Sequence, residues 1–114
     1  MTLKDISDRL DLTVCCAGGG LDRQLSGGYA GDLLSDVMAH SGQGQAWVTI
    51  QVHINIVAVA VLKEHAAIII ANGRTPAAET VRKAEEENVP IFTSTRSAFE
   101  ICGMLHALGV SGVT

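Results

Sequence analysis

The sequence predicts a three-layer α/β/α sandwich built on a mixed, mostly parallel sheet of about five strands. Three observations carry this reading. Apolar residues make up 47% of the 114 residues and aromatics only 4%, so the core must be built from Val, Ile, Leu and Ala, which suits strands covered by helices. Helical and strand patterns alternate along the chain as helix–strand–strand–helix–strand–helix–strand–helix–strand–helix. The run Ala66-Ala67-Ile68-Ile69-Ile70-Ala71 is apolar on both faces, as a strand inside a parallel sheet is.

Each element has a local reason. Residues 3–10 read as a short helix, with Thr2 as cap and Asp5 three positions on, close to a capping box. Residues 12–17 are short, apolar and partly β-branched, a strand ended by Gly18-Gly19-Gly20. Gly27, Gly28 and Gly31 weaken the next segment, so a strand there is short and sits at an edge or carries a bulge. Leu33, Leu34, Val37 and Met38 recur at helical spacing behind Asp32, a candidate cap. Residues 41–44 form a turn and residues 46–51 a strand.

Residues 53–62 are almost wholly apolar and rich in Val and Ile, and their propensity favours a strand. Context favours a helix, because parallel neighbours need a crossover of a dozen or more residues and this segment supplies it. The alternative is an antiparallel hairpin turning at Lys63-Glu64-His65. Thr75-Pro76 then reads as a cap followed by Pro at the first helical position, with a stripe of Ala77, Val81 and Ala84 and a Glu79–Lys83 pair at i,i+4. Residues 89–93 make the last strand, its Pro90 near the start where it costs least. Ser97 and Glu100 box in the final helix, whose buried stripe is Ala98, Ile101, Cys102, Leu105 and Leu108 before Gly109. The C-terminal part should consist of right-handed βαβ units.

Composition narrows the function. Net charge is −4 with no basic run, so the cationic footprint of a nucleic-acid binder is missing. The longest apolar run, residues 56–62, is too short to span a bilayer, and no apolar signal core follows Met1; a soluble, cytoplasmic single domain over residues 1–114 is expected, with no membrane contact. Three cysteines without C-x-x-C argue against a disulfide framework or a zinc site. Cys15 and Cys16, adjacent on a strand, should point to opposite faces of the core. No metal and no cofactor is expected.

Ligands of open α/β sheets bind beyond the carboxyl ends of strands. Two loops there draw attention. Asn72-Gly73-Arg74-Thr75-Pro76 offers a glycine, a hydroxyl, a helix start and a guanidinium, which together suit an anion. Thr93-Ser94-Thr95-Arg96-Ser97 offers four hydroxyls and another guanidinium. His53 and Asn55 follow the strand at residues 46–51 and are positioned to meet these loops. The candidate ligand-binding residues are therefore His53, Asn55, Asn72, Gly73, Arg74, Thr75, Thr93 and Thr95. The other histidines, His40, His65 and His106, lie near helix ends and read as solvated. The glycine triplet lacks the Lys-Ser/Thr of a phosphate loop, and Asp32 with Asp36 reads as a solvated helix-start pair.

The stretch Gly31-Asp32-Leu33-Leu34-Ser35-Asp36-Val37-Met38, then Ile68-Ile69-Ile70-Ala71-Asn72-Gly73, Val89-Pro90-Ile91 and Ala98-Phe99-Glu100 resembles the DRTGG domain, from about Asp11 onward. The resemblance implies a small α/β fold similar to the N-terminal domain of HPr kinase/phosphatase. It implies a non-catalytic, often self-associating module, found in phosphotransacetylases and CBS-domain pyrophosphatases, with stand-alone copies, some encoded near hydrogenase components. The chain departs from the family where Ala71-Asn72-Gly73 stands for Thr-Gly-Gly and Gln51-Val52-His53 for the Asp-Arg pair.

The expectation is thus a regulatory or ligand-sensing domain, binding a nucleotide or phosphate-bearing metabolite as a homodimer. The alternative is a structural or interaction subunit of a partner enzyme of hydrogenase or acetyl-phosphate metabolism, with no small ligand. An enzyme is not expected: His53 is the one candidate base, and nucleophile and oxyanion donors are not assembled.

Overall fold

The computed structural model describes residues 1–112, and its elements follow the expected order: α1 (Leu3–Leu10), β1 (Thr13–Cys16), β2 (Gly27–Ala30), α2 (Leu34–His40), β3 (Gln45–Thr49), α3 (Asn55–Lys63), β4 (Ala67–Ile70), α4 (Ala78–Glu87), β5 (Ile91–Thr93) and α5 (Ala98–Ala107). The strands form one sheet in the order β1-β5-β4-β3-β2. β2, β3, β4 and β5 are parallel, and β1 is antiparallel to β5. The glycine-rich β2 takes an edge, where its missing side chains cost least.

The ambiguous apolar segment is the helix α3, and the parallel β3–β4 pairing rules out the hairpin at residues 63–65. Strand order advances steadily from β2 to β5, so the crossover helices α2, α3 and α4 all fall on one face. Trp47, Ile68, Ile70 and Ile91 point to that face and meet Val37, Ile56, Val57, Ala60 and Ala84. Ala46, Val48, Ala67, Ile69 and Phe92 point the other way, onto Leu3, Ile6 and Leu10 of α1 and Ile101 and Leu105 of α5. Strand alternation thus divides the core into two layers, each fully desolvated at its centre.

Local expectations fared unevenly. The α1 capping box forms with both bonds. At α5 only half of the expected box forms: Ser97 accepts from the Glu100 amide, and no bond returns from the Ser97 amide to the Glu100 carboxylate. Asp32 does not cap α2: the cap residue is Leu33, without a side-chain bond, because the Asp32 carboxylate is drawn to β3 instead. Asp32 and Asp36 are accordingly not a pair on one helix face; Asp36 accepts from the Tyr29 hydroxyl and contacts the His40 ring.

Thr75-Pro76 does not start α4 either. The helix begins at Ala78, after the extended Ala77, because the Ala77 amide and the Thr80 hydroxyl both bond the Val52 carbonyl and so fix where the helix can start. Buried Thr80 therefore holds the place in the stripe expected of Ala77, which is exposed. Lys83 pairs with Glu86 and Glu87 rather than Glu79, two carboxylates outcompeting one.

β1 corrects the reading of the cysteines. It is an edge strand, largely exposed, and a register shift between Val14 and Cys16 interrupts its pairing. The irregularity brings Cys15 and Cys16 against the same core layer instead of opposite faces. Burial pushes the Cys16 thiol up, which disfavours the reactive thiolate.

Candidate functional site at the carboxyl edge of the sheet

The parallel strands end side by side at Thr49, Ile70 and Thr93, which are in register. The loops that leave them are therefore neighbours. Ala71-Asn72-Gly73-Arg74 turns back sharply, with Asn72 at φ 65° and Gly73 at φ 67°. Two left-handed residues in succession define a primed turn, which Asn-Gly adopts most readily, and the Arg74 amide closes it on the Ala71 carbonyl at 3.4 Å.

The turn leans on the loop after β5. The Asn72 amide donates to the Arg96 carbonyl at 2.9 Å and the Gly73 amide to the Ser94 carbonyl at 2.8 Å. The Ser94 hydroxyl accepts from the Arg96 amide, and the Arg96 guanidinium reaches the Leu10 carbonyl at the end of α1 at 2.7 Å. Arg96 thus ties the β5–α5 loop to α1, and the two loop amides best placed for an anion are committed to internal carbonyls.

The structure brings together Asn72, Gly73 and Thr95: a Cβ built on Gly73 would stand 4.0 Å from the Thr95 Cα. Arg74 and Thr75 follow on the exposed side of the same loop. Arg74 makes no ion pair among the described residues. Thr93 is half-buried at the end of β5, in register with Thr13 and Ile70. His53 and Asn55 lie one strand over, exposed, in the β3–α3 loop and at the first residue of α3. That loop is anchored to α4 through Val52, and no hydrogen bond joins His53 or Asn55 to the Asn72 turn among the described residues.

Sequence reasoning missed the hydrogen-bonded strut beneath this edge. Asp32 Oδ1 accepts from the buried Thr49 hydroxyl and from the Ile50 amide, each at 2.8 Å, while Gln51 Nε2 donates to the Asp32 carbonyl at 2.9 Å. This strut locks the β2–α2 and β3–α3 loops together.

It also missed His65, at the opposite edge. His65 is buried at 5% exposure against the Trp47 ring, not solvated. Ser41 donates its hydroxyl to the Val37 carbonyl, so it accepts from His65 Nε2; Nδ1 is then unprotonated and has no partner. Burial lowers the ring's pKa to about 4, with Lys63 adding to the effect. His65 lies beneath an open cleft of about 420 Å³ that Arg23, Glu64 and Asn88 also line. Arg23 is spent there on the carbonyls of Asn88, Gly18 and Ala66.

The five-stranded sheet with α2, α3 and α4 on one face and α1 and α5 on the other defines a three-layer α/β/α sandwich. No family model matches the sequence, and no curated protein matches it. Among solved structures the chain is similar to the CBS and DRTGG domains of the regulatory region of Clostridium perfringens pyrophosphatase, complexed with its activator diadenosine tetraphosphate. The TM-score is 0.70 at 14% identity, over 91% of this chain and 45% of that one, so the chain spans less than half the neighbour's length. The likeness establishes the fold. No helix among the described residues is long and apolar enough to cross a membrane.

Proposed function

We propose that residues 1–114 form one DRTGG-like domain that regulates rather than catalyses. In this reading it senses a nucleotide or another phosphate-bearing metabolite at the carboxyl edge of its sheet and works as a cytoplasmic homodimer, alone or beside a partner enzyme. The observation that supports this most is the fold likeness, at a TM-score of 0.70, to a regulatory region whose activator is a dinucleotide. The site chemistry is compatible with an anion. Arg74 is unpaired among the described residues, Thr75 and Thr95 are exposed, Asn72 and Gly73 precede Arg74 in the same turn, exposed His53 and Asn55 belong to the start of the neighbouring β3–α3 connection, and Thr93 ends β5. Ligand contacts would come from these side chains, because the Asn72 and Gly73 amides are engaged.

That engagement favours a second reading, a structural interaction module with no small ligand. Thermal unfolding against AMP, ADP, ATP, diadenosine polyphosphates, acetyl phosphate and acetyl-CoA separates the two. A ligand at 100 times its Kd adds about 2.7 kcal/mol, or roughly 10 °C for a domain near this size. The sensor reading expects one such shift, lost in Arg74→Ala; a flat panel at saturating concentrations leaves the interaction module.

A further inference from the structure

The opposite, amino edge of the sheet carries a cleft of different chemistry. It opens where Gly44, Ala66 and Val89 lead into β3, β4 and β5, and holds about 420 Å³. Helices α3 and α4 both end on it, in the left-handed caps Glu64 and Asn88. The negative ends of two helix dipoles therefore converge on one cavity. The chain's own Arg23 already answers that field. Its guanidinium donates to the carbonyls of Asn88 at 2.7 Å, Gly18 at 3.1 Å and Ala66 at 3.4 Å. Two carboxylates, Glu64 and Glu87, line the cleft against this single cation. Glu87 is paired with Lys83, whereas exposed Glu64 has only the neutral Gln43 amide as side-chain partner among the described residues, at 3.3 Å.

His65 supplies a second, independent feature of the same cleft. It is 5% exposed, its Nε2 is bonded to Ser41, and its unprotonated Nδ1 has no partner. Burial and the charge of Lys63 hold the ring in this neutral, accepting form. A buried acceptor left unmet costs free energy that a ligand recovers by bringing a donor. We propose that the cleft binds an organic cation with N–H donors, a primary ammonium on a short alkyl stem. The ammonium sits between the Glu64 carboxylate and His65 Nδ1, and the stem lies along Ala60, Val61 and Val89, which line the same cleft. One carboxylate and one lone pair suit the compact, freely turning donors of an ammonium better than the planar fork of a guanidinium. The Gln43–Glu64 bond joins two exposed side chains, so it yields at little cost to admit the ligand to the ring. The site is separate from the carboxyl-edge loops and stands whether or not they bind a ligand.

Nitrogen NMR of the intact, histidine-labelled chain tests this, with butylammonium chloride as the probe. A probe this small is expected to bind at about millimolar strength. The His65 Nδ1 resonance should move saturably as it accepts a hydrogen bond. Tetramethylammonium, which has the charge but no N–H, should leave it in place. Glu64→Gln, at an exposed position, should weaken binding about threefold, and Lys63→Gln, which removes a like charge beside the ring, should tighten it about twofold. His65→Leu, followed on the backbone amides of the cleft, should weaken it about tenfold. Arg74→Ala should bind as wild type does. Nα-acetyl-lysine methylamide distinguishes the source of the ammonium: tighter binding than butylammonium assigns a lysine side chain of a partner, weaker binding a free amine. No saturable movement of Nδ1, an equal movement with tetramethylammonium, or a Glu64→Gln protein that binds as tightly as wild type overturns the site.

Discussion

Asp32 offers a test that separates two explanations of one residue. Its position before α2 is that of a helix cap, but its carboxylate instead accepts from the Thr49 hydroxyl and the Ile50 amide at 2.8 Å. Asp32→Ala removes both bonds. Thr49 is 1% exposed, so its hydroxyl loses its acceptor where water does not replace it, at a cost of about 1–3 kcal/mol. The Ile50 amide is near solvent and adds less, giving a total of about 2–3 kcal/mol, or a fall in Tm of about 8–12 °C. Asp32→Asn keeps an acceptor oxygen and should cost about 1 kcal/mol. Asp32→Ser is the decisive variant. Serine is as good a cap as aspartate, so a capping role predicts almost no loss. Serine is too short to span to β3, so the strut predicts a loss close to that of alanine. Urea unfolding of the four proteins gives the comparison. An Asp32→Ser protein within about 0.5 kcal/mol of wild type refutes the strut, because a surface change of that kind is what an unengaged residue shows.

Two further predictions concern other parts of the fold. His65 has a folded pKa of about 4, below the ordinary 6.5, so its contribution is complete above pH 6.5 and declines as pH falls toward 4. Between pH 7 and 5 linkage gives about 2 kcal/mol, nearer 1 once water in the adjoining cleft is allowed for; urea unfolding at the two pH values should show this loss in wild type and not in His65→Leu, and equal pH slopes would contradict the buried, unpaired Nδ1. Gly18 and Gly73 both have positive φ but differ in surroundings: a Cβ on Gly18 falls 2.3 Å from the Pro90 nitrogen, whereas on Gly73 the nearest atom is 4.0 Å away. Gly18→Ala should therefore cost more than about 3 kcal/mol and Gly73→Ala about 1 kcal/mol, by thermal unfolding, and equal costs would show that strain alone decides.

What could be read from the sequence was what depends on pattern. The doubly apolar run around Ile68–Ile70 announced a parallel sheet, and the parallel sheet in turn required residues 52–65 to hold a crossover helix, against their strand propensity. Topology settled what local preference could not. The glycines of β2 put it at an edge for a local reason. Long-range bonds were not legible. Asp32 and Thr49 are 17 positions apart, and an aspartate before a helix looks the same whether it caps or reaches across to a strand. Thr75-Pro76 carries the right residues for a helix start, but the Val52 carbonyl holds that start two residues further on. His65 follows a helix end, where exposure is usual; the wall of Trp47 that buries it is visible only once β3 and β4 pair. Alternation along β1 misplaced the cysteines because one register shift reverses the faces beyond it. Of the candidate site, the Asn72 turn and the neighbouring β5–α5 loop were foreseen as adjacent, while the commitment of their amides to each other was not.

The most direct test of the sensor account is the nucleotide panel read by thermal unfolding in parallel on wild type and Arg74→Ala. The account predicts a saturable rise of about 10 °C in wild type with one phosphate-bearing compound and little or none in the variant. No shift with any compound at saturating concentration, or a shift that survives Arg74→Ala unchanged, would contradict a ligand site at this edge of the sheet.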